Sequence, residues 1–355
     1  MRIAQVPPLY EAVPPKLYGG TERVVAFLAD ALVELGHEVT LFGTGDSVTL
    51  ADLVVVRDRA FRLDDNPLKS DVAAHLSMLH QVLSRADEFD VIHFHVDMLH
   101  LALFEKIAHR TVTTFHGRLD LDDLPRALAC WPEFPYVSIS DYQRRPLPGL
   151  NWIGTVHHGL PPELLRYSRG TGGYLAFLGR MSPEKGPVRA IEIAQAAGLP
   201  IKLAAKVDRH DQRYFDDVVQ PLLGLPGVEF LGEIGDRDKA AFLGNAVAAL
   251  FPIDWPEPVG LVMIEAMACG TPVIAWRQGS VPEVVDHGQT GFIVESVEEA
   301  VAAVDRLSEL DRRTVRRIFD ERFTASTMAS NYLTLYQKLL REPDPMDTAL
   351  SGVLA

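Results

Sequence analysis

The sequence predicts an α/β protein built from two doubly wound halves. Three observations carry that reading. Short runs rich in Val, Ile and Phe alternate with longer segments of helical periodicity, the pattern of a mostly parallel sheet covered by helices. The alternation restarts after residues 151–173, NWIGTVHHGLPPELLRYSRGTGG, which have the Pro and Gly content of a linker. The length, 355 residues, also exceeds what one ordinary core holds. A barrel of eight strands would give no break at mid-chain, and no repeat of 20–50 residues suggests a solenoid.

In the first half, Arg2–Val6 is a strand, followed by a proline-rich loop, PPLYEAVPPKLYGG. Thr21 is expected to cap the next helix, whose apolar stripe is Val24, Val25, Phe27, Leu28, Ala31, Leu32 and Leu35. Gly36 stops it. Strands are expected at EVTLF, ADLVVV, DVIHFH, RTVTTFH and PYVSIS. The second half opens on the strand YLAFLG and continues through IKLAAK, GVEFLG, VAALFP and TPVIAW. From about Asp311 to Leu340 a helix of mixed charge carries an apolar stripe of Phe323, Met328, Tyr332, Leu335 and Tyr336, and REPDPMDTALSGVLA reads as a tail.

Composition narrows the function. The chain is 47% hydrophobic and 23% charged, as soluble globular proteins are, and no apolar stretch reaches the length of a membrane span. The start, MRIAQV, lacks the apolar region of a signal peptide. Two cysteines, Cys130 and Cys269, make no disulfide framework and fit the cytoplasm. A net charge of −14 argues against nucleic acid, which needs a basic face, and gives no strong membrane signal.

The chemistry concentrates in WPEPVGLVMIEAMACGTPV, from Trp255 to Val273. Pro256 and Pro258 bracket Glu257 and are expected to hold it extended. A helix is expected from about Val259-Gly260 to Ala268 or Cys269, stopped by a left-handed Gly270. Its N-terminus follows a strand, where ligands of open α/β sheets bind. The N–H groups of Gly260, Leu261 and Val262 would there meet an anion, and Gly260 would let a phosphate approach the backbone. Two carboxylates beside an anion site, Glu257 and Glu265 two turns into the helix, suit a ligand that carries both phosphate and hydroxyls.

The segment resembles the E-x7-E motif of the retaining glycosyltransferases of the GT-B fold, family 4, with Val259 in place of the usual Phe. YGGTERVV resembles that family's glycine loop, FHG at Phe115–Gly117 its histidine motif, and FLGRMSPEKG at Phe177–Gly186 its G-R-x-x-x-x-K-G motif. The resemblance implies two Rossmann-like domains facing a central cleft: an acceptor domain at 1–160 and a nucleotide-sugar domain at 161–325. A helix at 326–340 would cross back to the first domain, ahead of a tail at 341–355. It also implies that Arg180 and Lys185 bind the donor diphosphate and stabilise the leaving group. Glu257 would meet the sugar and Glu265 the ribose, while His116 contacts the donor sugar near the reacting carbon and Gly19-Gly20 approaches the ligand. The activity implied is hexosyl transfer with retention from a nucleoside-diphosphate sugar, UDP favoured by the family's usage, to an acceptor hydroxyl. That acceptor could be a sugar, a small molecule or a glycolipid.

The rival readings are weighed on the same residues. No G-x-G-x-x-G follows the first strand, which removes a dehydrogenase. Glu257 and Glu265 could be the paired carboxylates of a glycoside hydrolase, but cations stand beside them. A nucleotide-sugar epimerase of the same fold, or a binding protein without turnover, are the alternatives. Arg180 and Lys185 could instead lie in a solvated loop with Glu184 pairing Lys185. His93 and His95 share a strand face and with Asp97 could be misread as a metal site; no third ligand has the spacing, so no metal and no cofactor are expected, the nucleotide-sugar being a substrate. His157, His158 and Glu283 receive no role. Trp255 packs under the Glu257 loop or stacks on a sugar.

Overall fold

The computed structural model describes residues 1–16 and 19–341. Leu17 and Tyr18 of the proline-rich loop, and the expected tail from 342 on, lie outside the described residues. The chain divides into two compact units, one of Met1–Gly159 together with the chain from Ala325, the other of Leu160–Thr324.

The first unit is a seven-stranded, wholly parallel sheet. Its strands are β1 (Arg2–Val6), β2 (Glu38–Thr44), β3 (Asp52–Arg57), β4 (Val91–Phe94), β5 (Thr111–Thr114), β6 (Tyr136–Ser138) and β7 (Trp152–Thr155), in the order β3-β2-β1-β4-β5-β6-β7. The helices are α1 (Gly20–Glu34), α2 (Asp71–Ser84), α3 (Leu101–Phe104) and α4 (Leu124–Leu128). α1 buries Val24, Val25, Leu28 and Leu32 along one face. Leu35, expected in that stripe, is the exposed C-cap residue instead. Thr21 does not cap α1; Gly19 is the N-cap residue and Thr21 falls in the first turn. β7 lies within the stretch read as linker: Trp152–Thr155 pairs with β6 as the sheet's edge, and half-buried edge strands leave a weak sequence signal.

The second unit is a six-stranded parallel sheet, β8 (Leu175–Arg180), β9 (Ile201–Lys206), β10 (Val228–Gly232), β11 (Ala248–Phe251), β12 (Val273–Trp276) and β13 (Gly291–Val294), ordered β10-β9-β8-β11-β12-β13. Around it lie α5 (Pro187–Ala196), α6 (Gln212–Tyr214), α7 (Asp236–Asn245), α8 (Leu261–Ala268), α9 (Val281–Val284), α10 (Val297–Asp305) and α11 (Arg312–Arg322). The strand β13 was not expected. The last helix, α12 (Ala325–Arg341), belongs to the first unit, packs against α1, and buries Met328, Tyr332 and Tyr336.

Both sheets reverse their order once, between β1 and β4 and between β8 and β11. Connections on the two sides of such a point run to opposite faces, so the strand ends there open a crevice. Arg180 ends β8, and Phe251 ends β11 on the way to Glu257. Gln5 and His95 stand at the corresponding ends of β1 and β4.

Candidate functional site

In the second unit, two loops leave neighbouring strand ends and are stitched together by the amide of Asp254, which donates to the Glu184 carbonyl at 2.8 Å. Lys185 closes a short turn after β8 and donates from Nζ to Oε2 of Glu257. The same oxygen accepts the indole N–H of Trp255 at 2.7 Å, and Lys185 Nζ stands 4.6 Å from the Trp255 ring centre. Trp255 therefore holds both charged groups, which the sequence left open between packing and stacking. Glu257 is buried and is not simply extended: its amide turns back over Pro256 to the Trp255 carbonyl, at 2.8 Å. Its own carbonyl accepts from the Ser280 amide at 3.0 Å. Gly279 makes this approach possible. It has a left-handed φ of 56°, and a Cβ there would lie 2.2 Å from the Glu257 oxygen.

Glu184 does not pair with Lys185. Its carboxylate accepts from Arg180 at 2.7 Å and from the Ser182 hydroxyl at 2.7 Å. Burial works to raise the Glu184 carboxyl, but the Ser182 and backbone hydrogen bonds and the Arg180 charge hold it below its ordinary value. Arg180 also lies 3.4 Å from Asp211 and 3.7 Å from Asp208. Desolvation pushes the Asp211 carboxyl up in spite of that cation. The acids at 208 and 211 follow β9, so the parallel β8–β9 pairing delivers them. No local motif announced them.

α8 begins at Leu261 with Gly260 as its N-cap residue, and Val262 is in the first turn. The Gly260 φ of −101° is ordinary, and its missing side chain serves packing: a Cβ would lie 2.6 Å from the Phe251 ring and 2.9 Å from Met263. Gly270 ends the helix at φ 73°, as expected. Glu265 is the fifth helical residue, just over one turn in rather than two. It is buried, and its carboxylate accepts from Lys239 of α7 at 2.8 Å. Lys239 escaped the sequence reading because nothing local ties it to a glutamate 26 residues on.

In the first unit, Gly19 precedes α1 in extended conformation, where a Cβ would lie 2.9 Å from Pro15 and 3.2 Å from the Glu22 carboxylate; at Gly20 it would meet nothing within 4 Å. Burial pushes the Glu22 carboxyl up. His116 lies two residues beyond β5, which ends at Thr114. Its Nε2 is 2.8 Å from His95 Nδ1, and its ring stacks on that of His158 with centres 5.2 Å apart. Burial lowers the His116 pKa to about 3, and lowers those of His93, His95 and His158 well below the ordinary value.

His93 and His95 do share a face, with ring centres 4.0 Å apart. Both nitrogens of each ring are hydrogen-bonded, His93 with Tyr336 and Thr114, His95 with His116 and Gln5. Among the described residues no group of three or more His, Cys, Asp or Glu is arranged to hold a metal ion. No helix among them is long and apolar enough to cross a membrane.

Two family models match the chain, one described as Glycosyltransferase Family 4 at residues 18–174 and one as Glycosyl transferases group 1 at residues 167–322. The chain is 28% identical to a phosphatidyl-myo-inositol mannosyltransferase of Mycobacterium leprae, over 92% of this chain and 91% of that one. It is 24% identical to an O-antigen chain mannosyltransferase C of Escherichia coli, over 96% and 99%. Among solved structures, AviGT4, a glycosyltransferase involved in avilamycin A biosynthesis, superposes with a TM-score of 0.74 at 24% identity, covering 96% of this chain and 98% of that one. Anabaena Alr3699/HepE, solved with UDP and glucose, gives 0.72 at 19% identity over 95% and 100%.

Proposed function

Since the chain belongs to the GT-B glycosyltransferases of family 4, we propose that it transfers a hexosyl group, with retention, from a nucleoside-diphosphate sugar to an acceptor hydroxyl. One observation carries the reading: Lys185 and Glu257, 72 residues apart, meet at the reversal of the second sheet, beside the start of α8. A diphosphate draws Lys185 away from Glu257, because two phosphates offer more charge than one carboxylate. Glu257, released on one side and still held by Trp255, then accepts hydroxyl protons of the sugar. Arg180 makes the same exchange, leaving Asp208 and Asp211 for the phosphates. Glu265, positioned by Lys239, takes the ribose hydroxyls.

Departure of the diphosphate leaves positive charge on the sugar ring and negative charge on the phosphates. Arg180, Lys185 and the first amides of α8 stabilise the latter, which is the main catalytic work. A phosphate oxygen of the leaving group takes the acceptor proton, and attack on the face it vacates retains the configuration. His116 contacts the transferred sugar. Cationic side chains stand where a metal would otherwise serve, so neither metal nor cofactor is required. UDP is the favoured nucleotide; a relative named as a mannosyltransferase and a fold neighbour solved with UDP and glucose keep the sugar open to test. Free cysteines at 130 and 269 fit a cytoplasmic location.

The test incubates the protein with UDP-, GDP- and ADP-sugars, with and without sugar and glycolipid acceptors, and follows nucleotide release and product configuration. Acceptor-dependent release with a retained anomer is expected. Epimerised sugar, or binding without release under every condition, overturns the proposal.

A further inference from the structure

A line of buried hydrogen bonds runs through the first unit and ends on His116. Gln5 of β1 is fully buried, and its Oε1 lies 2.8 Å from His95 Nε2. The other ring nitrogen of His95 lies 2.8 Å from His116 Nε2. On the far side, Gln5 Nε2 faces the Tyr336 hydroxyl of α12 at 3.4 Å, and that hydroxyl lies 2.7 Å from His93 Nδ1. His93 Nε2 lies 2.7 Å from the Thr114 hydroxyl, which is 3.0 Å from the Tyr332 hydroxyl. The line stops at His116 Nδ1, which is buried and has no hydrogen-bond partner among the described residues.

Each imidazole in this line is neutral, because burial disfavours the cation, and each therefore has one N–H and one lone pair. Proton positions then follow by counting. An amide oxygen only accepts, so His95 carries its proton on Nε2 and donates it to Gln5. His95 Nδ1 is left as a lone pair, so His116 donates to it from Nε2. His116 Nδ1 is therefore bare. The same count continues past Gln5: its amide donates to Tyr336, Tyr336 to His93 Nδ1, and His93 from Nε2 to Thr114. Every bond points in one direction, and turning over the single amide of Gln5 would reverse all of them.

We propose that Gln5 and His95 are positioning residues that fix the tautomer of His116, so that its Nδ1 is a lone pair reserved for a hydroxyl proton of the bound sugar. The role of the lone pair rests on the glycosyltransferase reading; the tautomer does not. A lone pair accepts a hydroxyl and rejects a group that cannot donate, whereas an N–H at the same place would also take a phosphate oxygen. His116 thus becomes a selective contact only while Gln5 keeps its orientation. The signal is absent from local sequence, since Gln5 and His95 stand 90 residues apart.

The test reads the protons directly. The protein is labelled with 15N in histidine only, and long-range proton–nitrogen correlations report which ring nitrogens are protonated. His95→Asn and His116→Asn provide the assignments. Wild type is expected to show His116 protonated on Nε2 and bare on Nδ1; a proton on Nδ1 overturns the proposal, and this needs no variant to fold beyond those used for assignment. Gln5→Met removes the acceptor and is expected to mix the His116 tautomers and lower kcat about ten-fold, the loss of one hydrogen bond, with little change in KM for the sugar nucleotide. Gln5→Glu, read at pH 8.5 where His95 stays neutral, restores acceptor, tautomer and kcat. An unchanged His116 tautomer in Gln5→Met overturns the role of Gln5. A changed tautomer with unchanged kcat overturns the role of the lone pair. Failure of the wild type to turn over any sugar nucleotide overturns the functional reading instead, and the tautomer measurement still decides the relay.

Discussion

Lys185, Glu257 and Trp255 share one carboxylate oxygen, and that sharing determines what each substitution does. Lys185→Ala removes the proposed phosphate partner and leaves this Glu257 oxygen with the indole alone. Nucleoside diphosphate binding is expected to weaken by about 1.5–3 kcal/mol, the worth of a charge-assisted hydrogen bond. Arg180→Ala is expected to cost less, because on the proposed reading Arg180 must give up its Glu184, Asp208 and Asp211 contacts to meet a phosphate. Calorimetry with nucleoside diphosphate checks both, and wild-type affinity in either variant would take that residue out of the site. The two glutamates divide differently. Glu257→Gln is expected to impair turnover and sugar selectivity and to leave free nucleotide binding nearly intact. Glu265→Gln is expected to weaken the free nucleotide as well, since an amide offers one acceptor where a carboxylate offers two. Titration of both variants beside initial rates decides; a larger binding loss in the Glu257 variant reverses the assignment.

At the scale of the element, α8 and the loop ahead of it carry both glutamates of the candidate site. Seven residues separate the glutamates, one standing on the loop ahead of the helix and the other inside it. Gly260 joins them where Phe251 and Met263 leave no room for a methyl group. Gly260→Ala is expected to destabilise the second unit by about 1–3 kcal/mol through overpacking. Urea denaturation measures this, and a neutral result would mean that Phe251 swings aside. Gly279 acts on the same loop from the other side, clamped on the Glu257 backbone at a left-handed φ. Its segment, GSVPEVV, received no role from the sequence, because its importance lies in what it touches.

For the whole molecule, burial of histidine sets the pH dependence. His93, His95, His100, His116 and His158 all belong to the first unit, and desolvation lowers each below the ordinary value, His100 and His116 to about 3. In the unfolded chain they bind protons from about pH 6.5 downward. Between that pH and the folded values the unfolded state holds more protons, so stability is complete above about pH 6.5 and falls as the pH drops. Each histidine contributes a slope of roughly 1.4 kcal/mol per pH unit inside its window. The carboxyls of buried Glu22 and of Asp97, both raised by desolvation, act in the opposite sense but are fewer. Denaturation at pH 7.5 and 5.5 is expected to show the first unit losing stability on acidification more than the second; equal losses would mean that these rings are hydrated. Metal removal is the other global test. Exhaustive EDTA treatment is expected to leave turnover intact, and a loss restored only by Mg or Mn would assign the ion a role that Arg180 and Lys185 do not fill.

What the sequence determined by itself is whatever depends on neighbours along the chain. The alternation of strand and helix, the Gly270 stop, the start of α8 and the spacing of Glu257 and Glu265 follow from periodicity and backbone sterics within a few residues. Those signals failed where the local preference is weak, at the half-buried edge strand β7 and at Thr21, which yields the cap of α1 to Gly19, and β13 was missed although its buried Phe292, Ile293 and Val294 favour a strand. The tertiary structure alone decided the partners. Lys239 for Glu265, Asp208 and Asp211 for Arg180, and Gln5 for His95 are set by which strand lies beside which. Sheet order is a non-local choice: burying a strand on both faces constrains its composition, but not the identity of its neighbour. A charge or a buried ring nitrogen takes its partner from that neighbour, so the motif was legible residue by residue while its electrostatics waited on the fold.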